Sequence, residues 1–219
     1  MKTRRTSVQY AVRKPLLEWL QAQDVRGLRV LDVGCGDRPY EQVLSGASEL
    51  VGFDVPGNPH ADIHGFIDAI PVDDASFDVV LCLQVLEHVP DPAAAIGELR
   101  RVVKAGGRVL LSTHGVYPYH PNPTDPWRWT HEGLERLFFT NGEWSSVTVR
   151  PGAGTAATIA MLNAHLIDLL FKRIRLRVLA APFVALLNAA GEGLDAAVPL
   201  LRGPVPGSVC ANYHVEAVA

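Results

Sequence analysis

Val30-Leu31-Asp32-Val33-Gly34-Cys35-Gly36 is the stretch on which the fold turns. A short apolar run that breaks into Gly-x-Gly reads as a buried strand ending in a turn where only bare backbone fits. Leu50-Val51-Gly52-Phe53 is a second such run, and Asp54 closes it. In an open parallel sheet a turn of this kind sits at the carboxyl end of the first strand, the switch point where ligands bind. A carboxylate one βαβ step further on can accept hydrogen bonds from a ribose diol.

Working outward, residues 15–23 predict a short helix with Leu16, Leu17 and Leu20 on one face, stopped by Gly27. A helix is expected to begin at Pro39 and reach Leu44, and residues 61–66 to form a short third strand. The continuous apolar run 77–83 suits a parallel strand covered on both faces. Residues 92–103 have helical spacing at Ala95, Ile96, Leu99 and Val103, with Gly106-Gly107 as the cap and 108–113 as the fifth strand. A strand over 144–149 and a last, antiparallel strand over 209–218 complete the set, with a helix over 131–139 before them. The pattern predicts an α/β fold, a doubly wound and mostly parallel seven-stranded sheet.

Residues 1–219 read as a single domain, with 155–201 as a helical insertion before the last strand. That insertion is apolar and is interrupted by Lys172-Arg173-Ile174-Arg175-Leu176-Arg177. It is expected to pack on the sheet or on a second copy as a homodimer. A peripheral membrane contact, apolar face down with the basic residues at the headgroups, is the other reading. Its first run, 155–171, is shorter than the ~20 apolar residues of a bilayer span, and Pro182 breaks the second.

A net charge of -3 speaks against broad binding of nucleic acid, which needs clustered Lys and Arg. Cys35, Cys82 and Cys210 lie in or beside apolar runs without metal-type spacing, so they read as buried thiols in a reducing compartment. No apolar segment follows the basic residues near the N-terminus, so the cytoplasm is expected.

The same strand-and-turn layout serves nicotinamide cofactors. Their fingerprint is G-x-G-x-x-G, and here Pro39 stands where the third glycine belongs. Asp32 also places a carboxylate beside the turn, which suits a sulfonium and an amine better than a pyrophosphate. The pattern favours S-adenosyl-L-methionine (SAM).

Taken together, 30–36, Asp54, Ile70-Pro71 with Ser76-Phe77-Asp78, Leu86-Glu87-His88-Val89 and Gly106-Gly107 resemble, in order, the motifs of class I SAM-dependent methyltransferases of the type 11 domain family. The resemblance covers roughly 28–139 and implies a Rossmann-like methyltransferase fold. It implies that Asp32, Gly34, Cys35 and Gly36 line the methionine moiety, Asp54 and Val55 the ribose, and Phe66, Ile67 and Asp68 the adenine. Gln84 and the residues up to His88 would close over the methionine end and face the acceptor. Two positions depart from the pattern: Phe66 stands where many relatives have an acid, so Asp68 or a backbone carbonyl must replace it, and Arg38 stands where many have a small residue.

Methyl transfer from a sulfonium chiefly needs alignment, and a general base only if the acceptor is protonated. His88 and His120 are the catalytic candidates, and His114, Tyr119, Asp125 and Arg128 the acceptor-binding ones. Asp125 and Arg128 read equally as a pair that fixes the loop, with Thr130 capping the helix after it. No metal site is expected, because His114 and His120 are too far apart in the chain to form a local pair. The expected partner is a small-molecule or lipid/glycan-precursor acceptor. A SAM-binding module without turnover is the alternative from another class.

Overall fold

The computed structural model describes residues 3–219. Helix α1 (Tyr10–Gln21) precedes β1 (Arg29–Val33), β2 (Glu49–Asp54), the two-residue β3 (Ile63–His64) and β4 (Phe77–Leu83). Helix α2 (Pro92–Val102) leads into β5 (Val103–His114), α3 (His131–Thr140) and β6 (Ser146–Pro151). Two long helices, α4 (Thr155–Arg173) and α5 (Ala181–Ala197), then separate β6 from β7 (Asn212–Val218).

The strands form one sheet in the order β3-β2-β1-β4-β5-β7-β6. Strands β3 to β5 pair in parallel. β7 runs against β5: Gly106 N donates to Ala219 O at 2.9 Å, and at the other end Gly115 N donates to Ala211 O at 3.0 Å. Val30, Leu31, Val79, Val80, Leu81 and Cys82 are fully buried, because β1 and β4 are covered on both faces. Strand order reverses between β1 and β4, which opens a crevice at their carboxyl ends.

Three local expectations are corrected. Residues 39–44 are a chain of turns, not a helix: Arg38 is left-handed (φ +56), and a lone four-residue bond, Leu44 N to Tyr40 O, is not continued. Gly106-Gly107 does not cap α2, which ends at Val102 and passes directly into β5. The two glycines instead lie in an irregularity between the pairs Phe77↔Val103 and Val79↔Arg108. Gly106 has φ +73, and a Cβ on Gly107 would stand 2.8 Å from Asp78 O, so a β-bulge requires both. Helix α1 begins at Tyr10 rather than residue 15, because Ala11 and Val12 are buried with Ala157, Met161 and Ala211.

The chain divides into two compact units. One consists of residues up to Trp19 with Gly115–Tyr119 and Arg150–Tyr213, and contains α4 and α5. Gly191 of α5 meets Ala157 and Ala160 of α4, where a Cβ would lie 2.7 Å from Ala160 Cβ. Asp195 of α5 accepts hydrogen bonds from Ala156 N (2.9 Å) and Ala157 N (3.0 Å), closing the N-terminus of α4. The other unit, Leu20–His114, His120–Val149 and His214–Ala219, holds most of the sheet. The segment Arg177–Ala197, with mean hydropathy 1.2, is long and apolar enough by composition to cross a membrane despite Pro182. All three cysteines are buried free thiols, as expected.

Candidate active site

β1 carries Asp32 and Val33 to the crevice and stops at Gly34 (φ +73) and Gly36 (φ +54). A Cβ on Gly34 would lie 2.3 Å from Val85 Cγ2, so close approach and backbone conformation both demand glycine. Gly34 N (2.8 Å) and Cys35 N (3.2 Å) both donate to Phe53 O, fastening the turn to β2. Cys35 directs its thiol beneath the turn, 3.0 Å from where a Cβ on Gly52 would be, and its pKa is pushed up to about 11 by burial. Arg38 spreads over the same Gly52 and pairs with Asp62.

The Asp54 carboxylate is held in place: it accepts from Gly36 N (2.9 Å), Val55 N (2.7 Å) and Asn58 Nδ2 (2.7 Å). Of its four lone-pair positions one remains open on Oδ1, and displacing the Asn58 amide frees a second, enough for a diol. Asn58 escaped the sequence reading because a turn such as 55–59 reads only as a connection.

A cleft of about 430 Å³ opens beside this turn. Gly34, Asp54, Val55, Ile67, Asp68, Gln84 and His88 all line it, and so do Asp91 and the 122–124 segment, which the sequence did not suggest. Phe66, 63% exposed, forms part of the wall beside Asp68, and its carbonyl accepts from Ala69 N. Gln84 adopts a left-handed backbone (φ +61) and donates from Nε2 to Ser112 Oγ at 2.8 Å. A glutamine held in this conformation at a strand end marks a place where geometry overrides local preference.

Asp32 is 4% exposed, and no group among the described residues hydrogen-bonds its carboxylate. Burial pushes its pKa up to about 7, against the pull of Arg38 and with the help of Asp54. A buried acid without a partner beside a glycine turn fits a cationic ligand, which would supply the missing charge. The cleft and this acid together suit SAM.

A second group of side chains meets behind His88. The rings of His88 and His114 each lie 5.0 Å from that of His120. His120 N donates to Asp125 Oδ2 (2.9 Å), and both Arg128 Nη atoms donate to the Asp125 oxygens at 2.6 Å. The Arg128 fork holds Asp125 well below the usual carboxylate range. His114 is 3% exposed, and burial with neighbouring positive charge pushes its pKa down to about 3. His88 Nδ1 bonds Thr124 O, and Trp127 Nε1 donates to Val89 O (2.8 Å), so the loop is clamped to the end of β4. Thr130 caps α3 as expected. Tyr119 is 78% exposed and belongs to neither group. Glu87, which the sequence offered only as part of a motif, is fully buried against His114.

The family model described as Methyltransferase domain matches residues 4–145, more than half of the chain. The chain belongs to that family. It is 36% identical over 126 residues to a ubiquinone biosynthesis O-methyltransferase of Bordetella avium, 48% of this chain and 51% of that one. It is equally 36% identical over 114 residues to its namesake in Ralstonia nicotianae, 44% and 48% of the two chains. The chain thus spans about half the length of the curated relatives it matches. A possible histamine N-methyltransferase from Thermotoga maritima shares the fold with TM-score 0.60 at 14% identity, covering 96% of this chain and 91% of that one. A SAM-dependent methyltransferase from Mesorhizobium loti does so with TM-score 0.56 at 16% identity, covering 97% and 98%. It carries a methyltransferase domain on the Rossmann-like fold.

Proposed function

We propose that this methyltransferase methylates a hydroxyl of a small-molecule or lipid/glycan-precursor acceptor. The observation that carries the reading is His88 in the cleft wall. A carbonyl can only accept, so the bond to Thr124 O puts the neutral ring's proton on Nδ1 and leaves the Nε2 lone pair free to take a proton. The O-methyltransferase names of the Bordetella and Ralstonia relatives support oxygen as the atom methylated.

SAM supplies an activated methyl whose acceptance needs a correctly placed nucleophile. In this reading Asp32 faces the methionine amine and sulfonium, while Gly34, Cys35 and Gly36 give backbone contact. Asp54 and Val55 hold the ribose, Ile67 and Asp68 edge the adenine, and Gln84 closes the methionine end. His88 removes the acceptor proton, with His120 held behind it by Asp125. Residues 1–219 then act as one methyltransferase domain with 155–201 as its helical insertion, in the cytoplasm. Release of S-adenosylhomocysteine with a panel of hydroxylated aromatic and prenylated acceptors tests this. His88→Ala should lower kcat by about 10²-fold or more. An unchanged kcat sinks the assignment of the base, and no turnover with any acceptor favours a SAM-binding module.

We further propose that the α4–α5 face rests on an anionic membrane surface. Val178 is 86% and Leu186 69% exposed, in company with Leu169, Leu170 and Ile174, and Lys172, Arg173 and Arg175 lie among them. Contiguous apolar surface of this kind calls for a covering partner, and the flanking basic side chains fit phospholipid headgroups. Sedimentation with phosphatidylglycerol vesicles should capture the protein and Leu186→Glu should release it. A concentration-dependent dimer without vesicle binding would replace the membrane with a second copy.

A further inference from the structure

We infer that Glu87, His114 and His120 form a binding site for a divalent transition-metal ion beside the methyl-transfer cleft. Each offers one ligand atom, and the three atoms lie within 4.8 Å of one another. Glu87 is wholly buried, and its Oε1 accepts no hydrogen bond from the described residues although it faces this group. An orphaned carboxylate oxygen in the interior calls for a cation, since burying it without a partner is costly.

The spacing points the same way. Oε1 stands 3.2 Å from His114 Nε2 without the alignment of a hydrogen bond. Metal–ligand bonds of ~2.0–2.2 Å place neighbouring ligand atoms roughly 3.0–3.5 Å apart. His120, on the loop and half-buried, completes the set by a turn of its ring.

The surroundings are those of ligands held for a metal. Glu87 Oε2 accepts from Thr113 Oγ1 at 2.9 Å, and Asp125 Oδ2 stands 3.4 Å from His120 Nδ1. Asp125, itself fixed by Arg128, accepts from the His120 backbone N–H and so holds the loop that carries the imidazole. Two imidazoles and one carboxylate select zinc, iron, cobalt or manganese over magnesium or calcium, which prefer oxygen alone. Three protein ligands leave coordination positions open. If the cleft is the methyl-transfer site proposed above, an acceptor oxygen is the natural occupant of such a position.

The test is titration of the chelator-treated full chain with cobalt(II) alone, followed by visible absorption and by thermal unfolding. One cobalt per chain should bind, with ligand-field bands that zinc abolishes, and magnesium at the same concentration should do nothing. Glu87→Gln, which keeps the side-chain shape, and His120→Ala, on the loop, should each weaken binding by at least about 10–100-fold. His88→Ala, which removes the proposed base, should leave cobalt affinity unchanged, so the two proposals fail separately. Absence of cobalt bands, or binding that survives Glu87→Gln while His88→Ala abolishes it, overturns the site.

Discussion

Asp32 and Asp54 show how the same residue type is put to two uses a few ångströms from one glycine turn. Asp54 accepts three hydrogen bonds and is fixed, whereas Asp32 is buried with no donor among the described residues. Binding a cationic ligand favours the ionised form of Asp32, so its raised pKa of about 7 becomes a pH dependence. Below pH 7 the free protein holds a proton there that binding must expel. SAM affinity should therefore fall as pH drops through 7, with proton release visible as a buffer-dependent heat in calorimetry. Affinity that is flat between pH 5 and 8 would remove Asp32 from the cofactor site. The sign for folding is opposite to that of a salt-bridged acid. The folded state binds this proton more tightly than the unfolded chain, so the cost of burying Asp32 grows as pH rises from about 4 to 7. Asp54→Ala should weaken S-adenosylhomocysteine binding by about 1.5–3 kcal/mol, the scale of hydrogen bonds to a charged group. Part of that loss comes through the turn, because Gly36 N and Asn58 lose their anchor, and equilibrium dialysis on Asn58→Ala separates the two contributions.

At the scale of elements, helix ends decide more than helix interiors. Helix α2 is closed by its own neighbour Asp91, which accepts from Ala93 N and Ala94 N, with Pro92 at the first helical position. That arrangement is legible in Val89-Pro90-Asp91-Pro92. Helix α4 follows Gly154, which has no side chain to cap it, and takes its cap from Asp195, 39 residues beyond Ala156. No local reading finds such a partner. Asp195→Ala should destabilise the fold by about 1.5–3 kcal/mol, by leaving one buried and one half-buried amide without a charged acceptor. The urea midpoint checks this, and a midpoint within error of wild type would show that water serves α4 equally well. The misread elements share a cause. Residues 39–44 have apolar spacing but follow a left-handed Arg38, and Gly106-Gly107 resembles a helix stop but serves a bulge opposite Asp78. In both places the backbone conformation depends on a neighbouring strand.

For the molecule as a whole, a ligand that binds only the native state raises stability in proportion to its occupancy. S-adenosylhomocysteine at 100 times its Kd should add about 2.7 kcal/mol, a rise in Tm of roughly 5–10 °C for a chain of this size. NAD should add nothing, because Pro39 and the buried Asp32 oppose a pyrophosphate. A shift with NAD and none with S-adenosylhomocysteine would overturn the cofactor order.

By itself the sequence determined the parallel strands, the glycine turn, the acid after β2 and hence the cofactor. These depend on periodicity and on backbone that only glycine permits, and both are local. Tertiary structure alone decided that His88, Glu87, His114 and His120 share one corner, that Asp125 braces the His120 backbone, and that Asp32 has no hydrogen-bond donor among the described residues. Those facts follow from the pairing of β4 with β5 and from the return of the loop after β5 onto the end of β4. Which distant segments meet is a property of how the strands stack.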